Sequence, residues 1–541
     1  MAAEGTAGSG WQATSRTGVV AAGGAAAVAA GIGALAQGGN AADAAVATLL
    51  ALMVTDHGEC SIGGEAPLLI YEARSGTVKV LAGQGGAPRA PEAIAWYMEH
   101  GIPAAGDVKI APVPAVVDLC ITALKLYGTQ SLARVVAPTL SLLDAGHEAW
   151  HPRLAHTLRR LVDTEADTPG SRERRLQAAC DRFYGRGGGS DIAAELEAFY
   201  IQEGGFLRQT DLAAHTTRVE EPVTVSYRGY TVCKCGPWTQ GPCLCQALRL
   251  LEGFDIRGMG PASADSVHVA VEALKLALAD RDAYYGDPLF TAVPLEALLS
   301  DRYTAIRRAL IDRGHAATAW RPGDPYAMEP LRADTAPHQP GPGGTTTCVV
   351  ADRWGNVVAA TPSANVHLPT ARGGQAGVTF GNRLRSLNTT PGHPNCIQPG
   401  KRPRITLTPT LVLRRGRPAY AISVAGGDLQ DQVTLGLLLN AIDFGMSPAQ
   451  AVTAPRFATS LHEDSFDPRP DRARTIPPAR LTVSARLPAN VQAELARRGH
   501  ELDVRPGPIG VPVMVHVDPD TGCLRAAGDP AAGRHAAGLT A

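Results

Sequence analysis

Residues 338–344 read His-Gln-Pro-Gly-Pro-Gly-Gly, and the chain then enters a strand-like run over 345–351 that begins Thr345-Thr346-Thr347. Proline and glycine at this density mark a loop, so a strand has to start abruptly at Thr345. Arg353-Trp354-Gly355-Asn356 turns that strand and 357–363 returns beside it. Glycine reaches backbone geometries closed to other residues, so the peptide after Gly343-Gly344 can take the strained shape that a peptide-to-ester shift needs. Cleavage between Gly344 and Thr345 would give Thr345 a hydroxyl nucleophile and a free α-amine. An α-amine titrates near about 7.7–8.0, where it can serve as general base. One residue then does the work of a Ser-His-Asp set, and the sequence offers no convincing set of that kind. Taken alone, the same residues are also an ordinary hairpin start.

Two features bear on the choice. Thr361, Ser363 and Asn365 alternate along the return strand, so they share a face beside its neighbour's start and could orient a hydroxyl and an amine. A half-exposed strand with its polar face to water would look the same. Gly426-Gly427 lies between a strand and a helix, where backbone N–H groups could hold an oxyanion or simply make a tight turn.

Elsewhere the pattern predicts a helix over 25–37 stopped by Gly38-Gly39, and a second capped by Asn40 to about residue 54. A hairpin follows over 66–72 and 77–82 around Arg74-Ser75-Gly76. Residues 112–156 and 172–200 read as helical, the latter broken at 185–189. Strands are expected over 222–235 and helices over 241–253 and 262–285. Residues 314–344 form a loop; strands at 408–413 and 419–425 and a helix over 430–444 come later, then a Pro/Arg-rich loop at 465–479. Helices around a β-rich middle, without repeats, suit a layered sandwich with a central pair of sheets.

The formal net charge is −1, which gives no electrostatic reason to expect a nucleic acid or an anionic membrane as partner. The Ala-rich stretch 25–54 is broken by Gly31, Gly33, Gly38, Gly39, Asn40 and Asp43 and cannot span a bilayer. The N-terminus lacks a signal-peptide pattern, so a cytoplasmic location is expected. Cys233-x-Cys235 and Cys243-x-Cys245 are spaced too tightly for the usual zinc knuckle and read as small buried residues; no metal or cofactor is expected.

The blocks GGNAADAAVATLLAL, SIGGEAPLLIYEARSG, EEPVTVSYRGYTV, GPWTQGPCLCQALRLLEG and ALADRDAYYGDP, then TTTCVVADRWGNVVAATPSAN, GKRPRITLTPTLVL, AGGDLQDQ, LLLNAIDFG and APRF, occur in an order that resembles the γ-glutamyltranspeptidase family over nearly the whole chain. The resemblance implies an α+β fold, the four-layer αββα sandwich of the N-terminal-nucleophile hydrolases. It also implies autocatalytic cleavage between Gly344 and Thr345, leaving a large segment 1–344 and a small segment 345–541 that stay associated. By position, Thr345 matches the nucleophile, Ser363 a Thr that hydrogen-bonds it, Asn365 a glutamyl-contacting Asn, Gly426 and Gly427 the oxyanion pair, and Thr406 one of two hydroxyls for the substrate carboxylate.

Departures from that pattern concern the substrate. Gln84 replaces the carboxylate-binding Arg, Ser386 the Asp that grips the α-ammonium, Arg383 a nearby Gln, Ile405 the second hydroxyl, and Thr347 the His of the customary Thr-Thr-His. Two lost charge-assisted contacts, each about 1.5–3 kcal/mol, disfavour a γ-glutamyl zwitterion. Arg383 would instead favour a carboxylate, held bidentately. The resemblance therefore implies a threonine hydrolase acting on a carboxylate-bearing small molecule in specialised, antibiotic-type metabolism. Three alternatives stand beside it: C–C bond hydrolysis releasing an oxalate-type fragment in an alkylproline pathway, ordinary γ-glutamyl transfer, and a non-catalytic scaffold.

Overall fold

Strict alternation builds the centre of the molecule. In the strand Gly18–Ala22, Val19 and Ala21 join one apolar cluster while Val20 and Ala22 join another, so each face of the sheet is buried against a different layer. The computed structural model describes residues 10–332, 344–364, 373–466 and 479–540.

One seven-stranded sheet runs, in spatial order, His535–Gly538, Gly18–Ala22, Cys348–Asp352, Val357–Ala360, Leu68–Glu72, Thr77–Ala82 and Arg218–Glu220. A second runs Gln12–Ser15, Leu524–Gly528, Val511–Val517, Arg417–Ala425, Thr410–Arg414, Tyr230–Lys234 and Val223–Tyr227. Their facing sides share one core, in which Val19, Leu69, Val349 and Ala359 meet Leu411, Ala421, Val513 and Ala526. The outer face of the first sheet packs on helices that include Ala25–Ala36, Ala41–Thr55 and Val116–Tyr127. That of the second packs on Gly241–Leu251, Ala264–Tyr284 and Leu429–Leu438. The architecture is therefore the α+β, αββα sandwich expected from the sequence.

The local chemistry follows the residues. Asn40 caps Ala41–Thr55 by accepting from the amides of Ala42 and Asp43, and Asp43 returns a bond to the Asn40 amide. Asp43 is fully buried because the Thr129 amide and hydroxyl and the Gln130 amide also donate to it. The expected helix 430–444 is α-helical only to Leu438 and continues as a π turn over Leu439–Asp443. Cys233, Cys235, Cys243 and Cys245 are all free and buried. Among the described residues, no helix is long and apolar enough to cross a membrane.

The two central strands leading to Thr345 are shorter than the sequence pattern suggests. Pairing between Cys348–Asp352 and Val357–Ala360 ends at Cys348 opposite Ala360. Pro362 is the reason: it accepts from the Thr346 amide at 2.9 Å but has no N–H to return. Thr345–Thr347 thus lead into the strand as a buried, non-laddered segment.

Candidate active site

The groups around the Gly344–Thr345 peptide are closely fitted. The Thr345 hydroxyl lies 2.7 Å from the Gly344 carbonyl oxygen and 3.3 Å from Ser363 Oγ. Ser363 Oγ itself donates to the Gly344 oxygen at 2.5 Å, which polarises the carbonyl that Thr345 would attack. Ser363 reaches this point because its backbone leaves the Pro362 break and bridges Glu65, with N–H···O distances of 2.9 and 3.0 Å. The approach is tight: a Cβ on Gly64 would sit 2.1 Å from the Ser363 carbonyl oxygen, so only glycine fits there.

Behind Ser363 lies a buried ion pair. Arg383 Nη2 donates to Ser363 Oγ at 2.7 Å, and its Nε donates to Glu65 Oε1 at 2.6 Å. Both side chains are 2 % exposed or less. Burial pushes the Glu65 carboxyl up, and the Arg383 guanidinium pulls against it. The Arg383 plane also rests over the Phe466 ring at 5.2 Å. This geometry changes the expected role of Arg383. Two of its three nitrogens are engaged and its charge is balanced by Glu65, so a bidentate grip on a substrate carboxylate is not open to it; Nη1 alone lacks a partner among the described residues.

The other expected residues fall as follows. Thr361 turns toward the facing sheet, pairing with Ser423 Oγ at 2.9 Å, and so does not share Ser363's position beside Thr345. Asn365 lies outside the described residues. Gln84 is buried, its Nε2 on the Gly85 carbonyl at 3.1 Å and its Oε1 without a partner among the described residues. Ser386 Oγ and Thr406 Oγ1 are likewise buried and unpartnered among the described residues, as is Thr347 Oγ1. The Gln84 loop and the turn Arg383–Ser386 pack together through Ala87, Leu384 and Leu387. Ile405 belongs to the core between the sheets.

Gly426 and Gly427 join Arg417–Ala425 to Leu429–Leu438 with φ of 137° and 59°. Their carbonyls accept from the Leu429 and Gln430 amides at 3.1 Å each. A Cβ on Gly427 would meet the Phe466 ring at 2.9 Å, which links this turn to Arg383 and through it to Ser363. Gly427→Ala is accordingly expected to cost about 1–2 kcal/mol for its positive φ. It should also lower turnover on the order of 10²-fold, if the turn's amides hold the oxyanion. Melting curves and steady-state rates on the purified variant check this; unchanged turnover would remove the turn from the chemistry.

Several contributors carried no signal of their own in the sequence. Glu65, Glu59 and Phe466 act through contacts hundreds or tens of residues away, and Lys401 is fully buried with its Nζ unpartnered among the described residues. The Lys401 carbonyl accepts from Ala87 at 2.9 Å, which sets its segment against the Gln84 loop. One group among the described residues, His268, Glu272 and His500, has the proximity of metal ligands. Lys275 and Arg321 already occupy the Glu272 carboxylate.

The sequence model of the gamma-glutamyltranspeptidase family matches residues 27–176 and 148–539. The solved structure of LmbA2991HD superposes with a TM-score of 0.86 at 32% identity, covering 99% of each chain. Cephalosporin acylase from Bacillus halodurans superposes with a TM-score of 0.80 at 26% identity, covering 100% of this chain and 98% of that one. The glutathione hydrolase proenzyme of Bacillus subtilis (strain 168) is 27% identical over an alignment of 544 positions that covers 93% of this chain and 88% of the relative.

Proposed function

The chain belongs to the gamma-glutamyltranspeptidase family of N-terminal-nucleophile hydrolases, and from that premise we propose that it cleaves itself before Thr345 and then hydrolyses an acyl bond in a carboxylate-bearing small molecule other than glutathione. The single observation that carries the reading is the placement of Thr345 Oγ1 and Ser363 Oγ at 2.7 and 2.5 Å from the Gly344 oxygen. In self-cleavage Thr345 Oγ1 attacks the Gly344 carbonyl carbon, Ser363 supports the oxyanion, and water releases the resulting ester. Segments 1–344 and 345–541 remain together because two strands of the small segment pair with strands of the large one: Cys348–Asp352 with Gly18–Ala22, and Val357–Ala360 with Leu68–Glu72. The freed amine of Thr345 then takes the proton from Oγ1 as it attacks substrate, with the Gly426–Gly427 amides as oxyanion donors. The relatives described as proenzymes support the processing step, and the cephalosporin acylase supports acyl chemistry away from glutathione.

Support for the substrate class comes from buried atoms that lack a partner among the described residues. Gln84 Oε1, Arg383 Nη1, Ser386 Oγ and Thr406 Oγ1 are polar groups whose burial is costly until something pairs with them. Three of the four can donate, and no carboxylate side chain stands at position 386 to receive an ammonium. A dicarboxylic acyl amide should therefore be turned over at least about tenfold faster than a γ-glutamyl anilide, on the strength of one lost charge-assisted contact. Rates for both compounds, with mass spectrometry of products, decide it. Preference for the γ-glutamyl anilide would overturn the substrate class, and oxalate released from a conjugated amino acid would favour C–C cleavage instead.

A further inference from the structure

The nitrogen that Thr345 must free is already held. Glu59 Oε2 accepts from the Thr345 N–H at 2.8 Å. The carboxylate is placed by its own backbone: the Glu59 amide donates to the Asp56 carbonyl at 2.8 Å, and the Glu59 carbonyl accepts from Ala364 at 3.0 Å. This turn closes the end of the helix Ala41–Thr55, whose capping residue is Asp56. Ala364 is the neighbour of Ser363, so one short segment fixes both groups that touch the Gly344–Thr345 peptide.

We propose that Glu59 is the residue that receives and retains the Thr345 nitrogen, first through self-cleavage and then as the α-amine of the mature enzyme. The inference rests on Thr345 being the nucleophile. In the shift, the bond from Thr345 Oγ1 to the Gly344 carbon forms and the bond from that carbon to the Thr345 nitrogen breaks. The Oγ1 proton ends on nitrogen, and the nitrogen gains basicity as it leaves. A carboxylate at hydrogen-bond distance stabilises that change, whereas a neutral acceptor does so less. Water then adds to the ester, the carbon–Oγ1 bond breaks, Gly344 leaves as carboxylate and Oγ1 regains its proton.

The same contact sets the pH at which the mature amine works. An opposite charge this close favours the ammonium, so the amine titrates above the usual N-terminal range of about 7.7–8.0. Among the described residues, the neighbouring titratable groups have partners or burial of their own. Asp56 is engaged by the Thr346 hydroxyl at 2.6 Å and by Arg534 at 3.2 Å. Glu65 is paired with Arg383. His57, pushed down to about 4 by burial and His151, hydrogen-bonds Thr379 and stacks on Trp150. Cys60 is buried, with its thiol pushed up. Glu59 is thus the carboxylate in direct contact with the nitrogen among the described residues.

The test uses the full-length precursor and needs no substrate. Cleavage before Thr345 is followed over time on denaturing gels for wild type, Glu59→Gln and Glu59→Asp. The α-amine of each mature protein is titrated by pH-dependent labelling of the Thr345 N-terminus with an amine reagent, read by mass spectrometry. Glu59→Gln is expected to process at least about tenfold more slowly, a change of ~1.4 kcal/mol in barrier, and to label with a midpoint about one pH unit lower. Glu59→Asp should lie between. Wild-type processing and an unmoved midpoint in Glu59→Gln would overturn the proposal. So would a processing loss matched by lost melting stability when the substitution is placed in a Thr345→Ala background, since Glu59 would then be structural. A wild-type protein that never cleaves before Thr345 would instead refute the nucleophile assignment beneath it.

Discussion

Thr345→Ala is expected to leave the protein as one polypeptide of 56.4 kDa and to lower hydrolysis by about 10⁴-fold or more. The size of the effect follows from the double duty of one residue. Alanine removes Oγ1, so no ester forms with Gly344, the peptide stays intact and the α-amine that would act as base never appears. Ser363 cannot substitute, because its hydroxyl is already engaged with the Gly344 oxygen and Arg383. Thr345→Ser keeps the hydroxyl and is expected to process and turn over, more slowly. Its rotamer is less restricted without the methyl group, so Oγ spends less time beside the carbonyl. Gels and rate measurements on both variants separate the account from a scaffold role, for which neither substitution would matter.

Glu65→Ala is the second large effect, and it falls on stability. Removing one member of a buried pair leaves the Arg383 guanidinium uncompensated, at a cost of about 3–5 kcal/mol. Glu65 Oε1 receives Arg383 Nε at 2.6 Å and both groups are out of water, so little screening softens the loss. Arg383→Ala should be costly for the same reason, and it also withdraws a donor from Ser363. The double variant should be more stable than the sum of the two single losses implies, because it leaves no lone buried charge. Thermal melts in a Thr345→Ala background, where all chains are uncut, read this directly. Additive losses would show that the pair is not coupled.

How much of this could be read beforehand depends on how local each determinant is. The hairpin around Arg74-Ser75-Gly76 forms Leu68–Glu72 and Thr77–Ala82 because its turn chemistry and alternation sit within a dozen residues. The Asn40 cap followed from the same kind of short-range pattern, whereas the αββα layering was implied by the family resemblance. Pro362 was also visible, yet its effect on the strand end was not, because that depends on which neighbour expected its missing N–H. Thr361 and Ser363 alternate in sequence, but the same proline breaks the ladder, and their hydroxyls go to Ser423 and to Gly344. Arg383 stood out as a cation in the pocket. Its neutralisation by Glu65, some three hundred positions earlier, is a tertiary fact that no spacing encodes. The same holds for Glu59 at the Thr345 nitrogen.

The central claim is that Thr345 is made the first residue of a new chain by the protein itself. Intact-mass measurement of the purified protein, after denaturation and without added protease, tests it most directly. The account predicts two chains whose masses correspond to residues ending at Gly344 and residues beginning at Thr345, with the precursor mass retained in Thr345→Ala. A stable single chain of 56.4 kDa in the wild type, unchanged on incubation, or a cut at any other peptide bond, would contradict it.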